Sequence, residues 1–185
     1  PIGLSEGQLE AVRRALAAND YLLINAPHGA GRIAVGLRII DTLVRRFETI
    51  RILVAPFFYS TINKVCAGLE ALGITYVVGG KIERLHEEFR RNHEDVIFST
   101  CKTVSETLEK TAKIRVYVIP SSAKQFDVFF QMNFNMVIMY EASHTQTIRA
   151  VPSLLSSCPL ILFGDNVLDN GVDSVFSHFQ RINGQ

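Results

Sequence analysis

Tryptophan is absent from this chain, and cysteine occurs three times, as Cys66, Cys101 and Cys158. Thiols this sparse, with no metal-ligand spacing, exclude a disulfide framework and a zinc motif, and read as reduced intracellular cysteines. An excess of charge of one sign is also missing. Lys and Arg number 19 against 18 Asp and Glu, a formal net charge of +1. No global basic field therefore announces nucleic acid, and any such contact needs a local patch. No apolar run is long enough to span a membrane, and no signal peptide opens the chain. No repeat, low-complexity tract or linker is visible. His28, His86, His93, His144 and His178 are scattered. His86 and His93 share a helical stretch without a third ligand, so no metal site is expected. Ser99 and Ser143 lack the His and Asp partners of a hydrolase triad. The abrupt start at Pro1 suggests a piece of a longer protein.

What is present is apolar sequence in short parcels. Hydrophobic residues make up 48% of the 185 positions, enough for one domain with a substantial core. Ser5 with Gln8 has the form of a capping box, and helical periodicity follows over 5–18. Strand-like runs are expected at 20–25, 52–55, 74–78, 95–99, 114–119, 136–139 and 160–163. Between them lie helical stretches at 32–47, 60–72, 81–94, 102–112, 121–131, 145–155 and 172–182. Gly73 has the position of a left-handed helix cap. The mixed-charge stretch 81–94 reads as a solvated helix face. Short unbroken apolar strands alternating with helices predict an α/β domain, a mostly parallel sheet with helices on both faces. Ligands in such sheets bind beyond the carboxyl ends of the strands.

Residues 20–33, DYLLINAPHGAGRI, are the centre of that arrangement. An apolar strand, a loop with Gly29 and Gly31, and an amphipathic helix form the context that makes a phosphate loop credible. The pattern G-x-x-x-x-G-K-[S/T], aligned on Gly31, reads Ala26, Gly31, Arg32 and Ile33. The scaffold is present, while three of the four diagnostic residues differ.

Seven segments in order resemble the first RecA-like motor domain of superfamily 1 helicases. The most similar group is that of the DNA-replication helicase–nuclease and the nonsense-mediated-decay RNA helicase. LSEGQLEAVRRAL resembles the adenine-contacting Gln motif, with Gln8 at its key position. NAPHGAGRI sits at the phosphate loop, and LVAPFFYSTIN resembles motif Ia, retaining Ala55, Pro56 and Asn63. VIFSTC resembles the strand that touches the nucleic-acid backbone, with Ser99 and Thr100. MYEAS resembles the DEAS form of Walker B, LFGDN the start of motif III, and GVDSVFSHF the helix after it. The resemblance covers almost the whole chain and implies a RecA-like P-loop NTPase fold over 1–185. In the family a second motor domain follows and supplies arginine fingers.

The departures fall on the catalytic positions. Arg32 replaces the phosphate-binding Lys with a broad planar fork. Ile33 replaces the hydroxyl residue and offers Mg²⁺ no oxygen. Tyr140 stands where an Asp holds the metal's water shell, and a neutral phenol does not substitute for it at pH 7. Ala26 adds only a methyl, harmless unless the backbone needs positive φ. After Gly164-Asp165, the Gln that senses the γ-phosphate is missing. Glu141 remains at the position of the carboxylate that activates water, and a capping or surface role is its alternative.

By resemblance the nucleotide-binding residues are Gln8, His28, Gly29, Ala30, Gly31, Arg32, Ile33 and Asp165, with Glu141 as the catalytic candidate. Nucleic-acid contacts are expected at Pro56, Phe57, Phe58, Asn63, Ser99 and Thr100. Phe57, Phe58 and Tyr59 beside Lys64 form a stacking platform for bases, or else pack against a helix or a second domain. The chain is thus read as a degenerate, ATPase-inactive helicase motor domain. Its role would be structural or nucleic-acid-binding, in DNA replication or repair or in RNA metabolism, and its location intracellular and nuclear. The alternatives are a working ATP-dependent helicase fragment with divergent motifs and a protein-interaction module. ATP is the candidate ligand, with Mg²⁺ binding weak or absent. A second motor domain or another protein is the expected partner, with single-stranded DNA or RNA as candidate nucleic acid and no membrane.

Overall fold

A computed structural model describes residues 3–79, 114–121, 133–146, 158–165 and 173–183. The chain enters through α1 (Glu6–Ala17), started by the expected capping box. The Ser5 amide donates to Gln8 Oε1 at 2.9 Å, and Ser5 Oγ accepts from the Gln8 amide at 3.4 Å. Two orphan donors at the helix start are thereby satisfied reciprocally. Then come β1 (Tyr21–Asn25), α2 (Arg32–Arg46), β2 (Ile52–Ala55), α3 (Tyr59–Ala71) and β3 (Tyr76–Val78). Gly73, at φ +67°, closes α3 in the left-handed conformation expected of it. β4 (Val116–Val118), β5 (Met136–Met139), β6 (Leu160–Gly164) and α4 (Val175–Asn183) complete the described elements.

The six strands form one sheet in the order β1-β6-β5-β2-β4-β3, and every pairing is parallel. Strand side chains alternate between two faces. Ile52, Val54, Ile138, Ile161 and Phe163 join one core with Val12 of α1, Ile39 of α2 and Ile62 of α3. Leu53, Tyr117, Val137, Met139 and Leu162 join the other with Val175 and Phe176 of α4. Helices therefore cover both faces, which is why the strands read as unbroken apolar runs. The carboxyl ends of β1, β6, β5 and β2 lie side by side, and the loops leaving them build the site.

Two expectations need correction. The helix predicted over 145–155 does not begin at Thr145. A short 3₁₀ turn, Ala142–His144, comes first, and Gln146 pairs antiparallel with Ser174. Residues 147–155 lie outside the described set. The last helix starts at Val175 rather than 172, because Ser174 is held in that bridge and exchanges hydrogen bonds with Ser177. The predicted elements at 81–94, 95–99 and 102–112 lie outside the described residues, as does the 121–131 helix except Ser121, which is in a turn. Among the described residues no helix is long and apolar enough to cross a membrane.

Candidate nucleotide cleft

The loop between β1 and α2 is anchored at both ends. The Ala26 amide donates to the Gly164 carbonyl of β6 at 3.0 Å, extending the ladder. Gly29 and Gly31 lie at φ +85° and +81°, conformations that glycine adopts without steric cost. Ala26 is not among the positive-φ residues, so its methyl imposes no strain. Gly31 is the N-cap of α2, which has no side-chain cap and no acidic residue in its first turn. Its N-terminal amides and dipole thus favour an anion.

Gln8 makes two contacts within the protein. Its Nε2 donates to the Ala30 carbonyl at 2.9 Å while its Oε1 caps α1. The carboxamide therefore ties the first helix to the phosphate loop, and both its polar atoms are engaged within the protein.

Arg32 is the first residue of α2, and its side chain is only 12% exposed. One guanidinium nitrogen, Nη2, lies 3.5 Å from Asp165 Oδ2 at the end of β6. That separation is an ion pair and exceeds a good hydrogen bond. Nε and Nη2 are buried and make no hydrogen bond among the described residues. The Asp165 backbone is fixed by Ser143, whose Oγ accepts from the Asp165 amide at 2.7 Å and donates to its carbonyl at 3.1 Å.

A buried aromatic residue stands where the family pattern has its metal-binding Asp. Tyr140, at the end of β5, is fully buried and stacks on Phe163, with ring centroids 5.1 Å apart and planes inclined by 11°. Its hydroxyl has no hydrogen-bond partner among the described residues, and burial, with the Glu141 charge beside it, pushes the phenol above its ordinary range. The ring reaches α2 at Gly36, where a Cβ would overlap the Tyr140 hydroxyl. Ile33 lines the same space. A hard dication requires oxygen ligands. Ile33 and the neutral buried phenol of Tyr140 do not supply them at the two positions where the family pattern has a hydroxyl and a carboxylate. A phosphate fits the loop, through the free helix N-terminus and the unsatisfied guanidinium.

Glu141 is the one described non-glycine residue with positive φ, at +52°. That conformation aims its carboxylate at the start of α3. Oε1 accepts from Thr61 Oγ1 at 2.7 Å, and Oε2 accepts from the Phe57 amide at 3.2 Å. The residue expected to activate water thus lies against the first turn of α3 from another loop, where a negative charge is favoured.

That clamp organises an aromatic rim. Phe57 and Phe58 meet edge to face at 4.9 Å, and the His144 ring lies 6.0 Å from Phe57 and 5.2 Å from Phe58. Phe58 is 41% exposed. Phosphate loop and rim enclose one cleft of about 270 Å³. His28, Gly29, Gly31, Arg32 and Ile33 line one wall, and Phe58, Ser60, Thr61, Lys64 and His144 the other, with Tyr140 and Glu141 between. Phe58 therefore fronts the phosphate-loop cleft rather than only a separate nucleic-acid surface. Pro56 is buried, and its carbonyl accepts from the Ser121 amide at 2.8 Å. Asn63 is half-buried on α3 and outside the cleft lining. Ser99 and Thr100 lie outside the described residues. Sequence reasoning missed Gly36, Thr61 and His144. A glycine inside a helical pattern was the available signal for Gly36; nothing local marked the other two.

No family model matches the chain. It is 24% identical over 163 residues to the DNA replication ATP-dependent helicase/nuclease JHS1 of Arabidopsis thaliana, 88% of this chain and 12% of that protein. Against the DNA replication ATP-dependent helicase/nuclease DNA2 of Gallus gallus it is 23% identical over 168 residues, 89% of this chain and 16% of that one. DNA2 of Saccharomyces cerevisiae gives 26% over 166 residues, 88% and 11%. The chain thus spans less than a fifth of the length of these relatives. Among solved structures, the UvsW helicase from bacteriophage T4 superposes with TM-score 0.61 at 14% identity, over 96% of this chain and 57% of that one. The Type ISP restriction-modification enzyme LlaGI, a nuclease-deletion mutant bound to a DNA substrate mimic, gives 0.60 at 12%, over 86% and 17%. The fold is the α/β RecA-like fold of these helicase structures, and the sequence is similar to part of the DNA replication ATP-dependent helicase/nucleases.

Proposed function

From the premise that this chain is a RecA-like motor domain resembling that of superfamily 1 helicase–nucleases, we propose that it no longer hydrolyses ATP and serves as a nucleic-acid-binding or structural unit. The carrying observation is Tyr140, a buried ring against Gly36 at the position where the family pattern has a metal-binding Asp. Phosphoryl transfer is mostly positioning and charge neutralisation. Ile33 and Tyr140 remove the metal ligands, and Arg32 is drawn toward Asp165. Glu141 spends both carboxylate oxygens on Phe57 and Thr61. The cleft keeps its anion-binding wall, so nucleotide binding without turnover is retained.

The similarity to DNA-replication helicase–nucleases supports a role in DNA replication or repair, and with it a nuclear location. A second motor domain or another protein is the partner this reading implies. The deciding experiment titrates a fluorescent ATP analogue into the chain with Mg²⁺ and with EDTA. Binding no tighter with Mg²⁺ than with EDTA, and no phosphate release, is the expected result. Micromolar binding that appears only with Mg²⁺ sinks the reading and restores the working-helicase alternative.

A further inference from the structure

The proposed loss of hydrolysis leaves open what the cleft holds, and the following rests on that reading. The two walls carry different chemistries. One offers the N-terminus of α2, without a side-chain cap, and Arg32, whose Nε and Nη2 are buried without a hydrogen bond among the described residues. The other offers the exposed Phe58 ring against His144, with Lys64 nearby on the same wall. A phosphate-binding corner facing an aromatic face is the recognition pattern of a nucleotide, since any base stacks on a π-face.

Size and charge narrow the ligand. The volume of about 270 Å³ falls below the range of about 300–1,000 Å³ usual for ligand pockets. That leaves room for one nucleotide unit. Of the permanently charged lining residues, Arg32 and Lys64 are cationic and Glu141 is anionic. Glu141 is already satisfied by Thr61 and Phe57, and Asp165 neutralises part of Arg32. Without a metal, so small a positive charge offsets much less of a triphosphate than of a single phosphate monoester, which carries about −1.5 to −2 at pH 7. Gln8 is committed to Ala30 and to its cap, so a base finds its stacking partner at Phe58 rather than at the Gln motif.

We propose that this cleft binds a nucleotide bearing one phosphate monoester, without metal, with the phosphate at Arg32 and the α2 N-terminus and the base on Phe58 and His144. Two sources carry that group: a free nucleoside monophosphate and the phosphorylated end of a single strand.

The test uses the 185-residue chain and fluorescence anisotropy of short single strands in EDTA. Strands labelled at the 3′ end carry either a 5′-phosphate or a 5′-hydroxyl, and strands labelled at the 5′ end carry either a 3′-phosphate or a 3′-hydroxyl. Unlabelled nucleoside monophosphates and inorganic phosphate serve as competitors. A phosphorylated end bound about tenfold tighter than its hydroxyl counterpart, with or without Mg²⁺, supports the strand-end source. Equal strand binding with saturable monophosphate binding supports the free nucleotide. Phe58→Ala, at an exposed position, weakens either form without unfolding the chain. Arg32→Lys keeps the charge, loses the fork and weakens phosphate discrimination. Equal strand binding with no monophosphate binding overturns the proposal and leaves the nucleic-acid reading intact. A requirement for Mg²⁺ overturns both.

Discussion

The hydroxyl of Tyr140 lies against Gly36, in space that a β-carbon on that residue would claim. A strand-end aromatic and a mid-helix glycine thus compensate one another in size, and together they occupy the side of the cleft where the family pattern puts its metal ligands. Ordinarily Gly→Ala inside a helix gains about 0.5–1 kcal/mol. Here the sign reverses. Gly36→Ala should destabilise the chain by about 1–3 kcal/mol, the usual cost of overpacking. Urea unfolding measures this, and Tyr140→Leu in the Gly36→Ala background should recover part of the loss, as coupled neighbours do.

Tyr140→Phe should cost nothing in stability and gain up to about 1 kcal/mol, because the buried hydroxyl lacks a partner among the described residues. A melting temperature lowered by the change would show instead that the hydroxyl makes a bond of consequence.

Gln8→Ala removes both an α1 capping contact and the bond to the Ala30 carbonyl. A loss of about 1–2 kcal/mol is expected in chemical denaturation. Unchanged stability with lost nucleotide affinity would return Gln8 to the base-reading role its motif implies.

Glu141 separates two effects. Glu141→Ala deletes both acceptors of the clamp and keeps the left-handed strain, while Glu141→Gly deletes the same acceptors and relieves it. Both should be less stable than the parent chain, with Gly above Ala by about 1 kcal/mol. Loss of the clamp should also loosen the Phe57–Phe58 rim, read as weaker strand binding by the Ala variant.

Cys66 gives an alkaline prediction. Burial is the main cause that raises its thiol from an ordinary 9.0 to about 12. The unfolded chain therefore ionises at lower pH than the folded one. The native state then holds more protons than the unfolded state between those values. Stability is unaffected below pH 9, falls as pH rises from about 9 to about 12, and levels beyond, for this group alone. In the folded protein at pH 8, Cys66 should resist alkylation that urea permits.

Much was determined by the sequence itself. Apolar runs at 52–55 and 136–139, glycines at 29, 31 and 73, and the Ser5–Gln8 pair specify local structure through interactions between near neighbours. The order of those segments was enough to suggest the RecA-like fold, and the missing Lys, hydroxyl and Asp were readable as erosion. The assignments of individual atoms were decided by tertiary structure. Gln8 meets Ala30, Glu141 meets Thr61 and Phe57, and Tyr140 meets Gly36, each across a wide gap in sequence. Parallel strands bring such positions together only after the crossovers close. A carboxylate or a carboxamide carries the same letters whether it faces a ligand or a backbone amide. Which partner it finds depends on distances that no local pattern encodes.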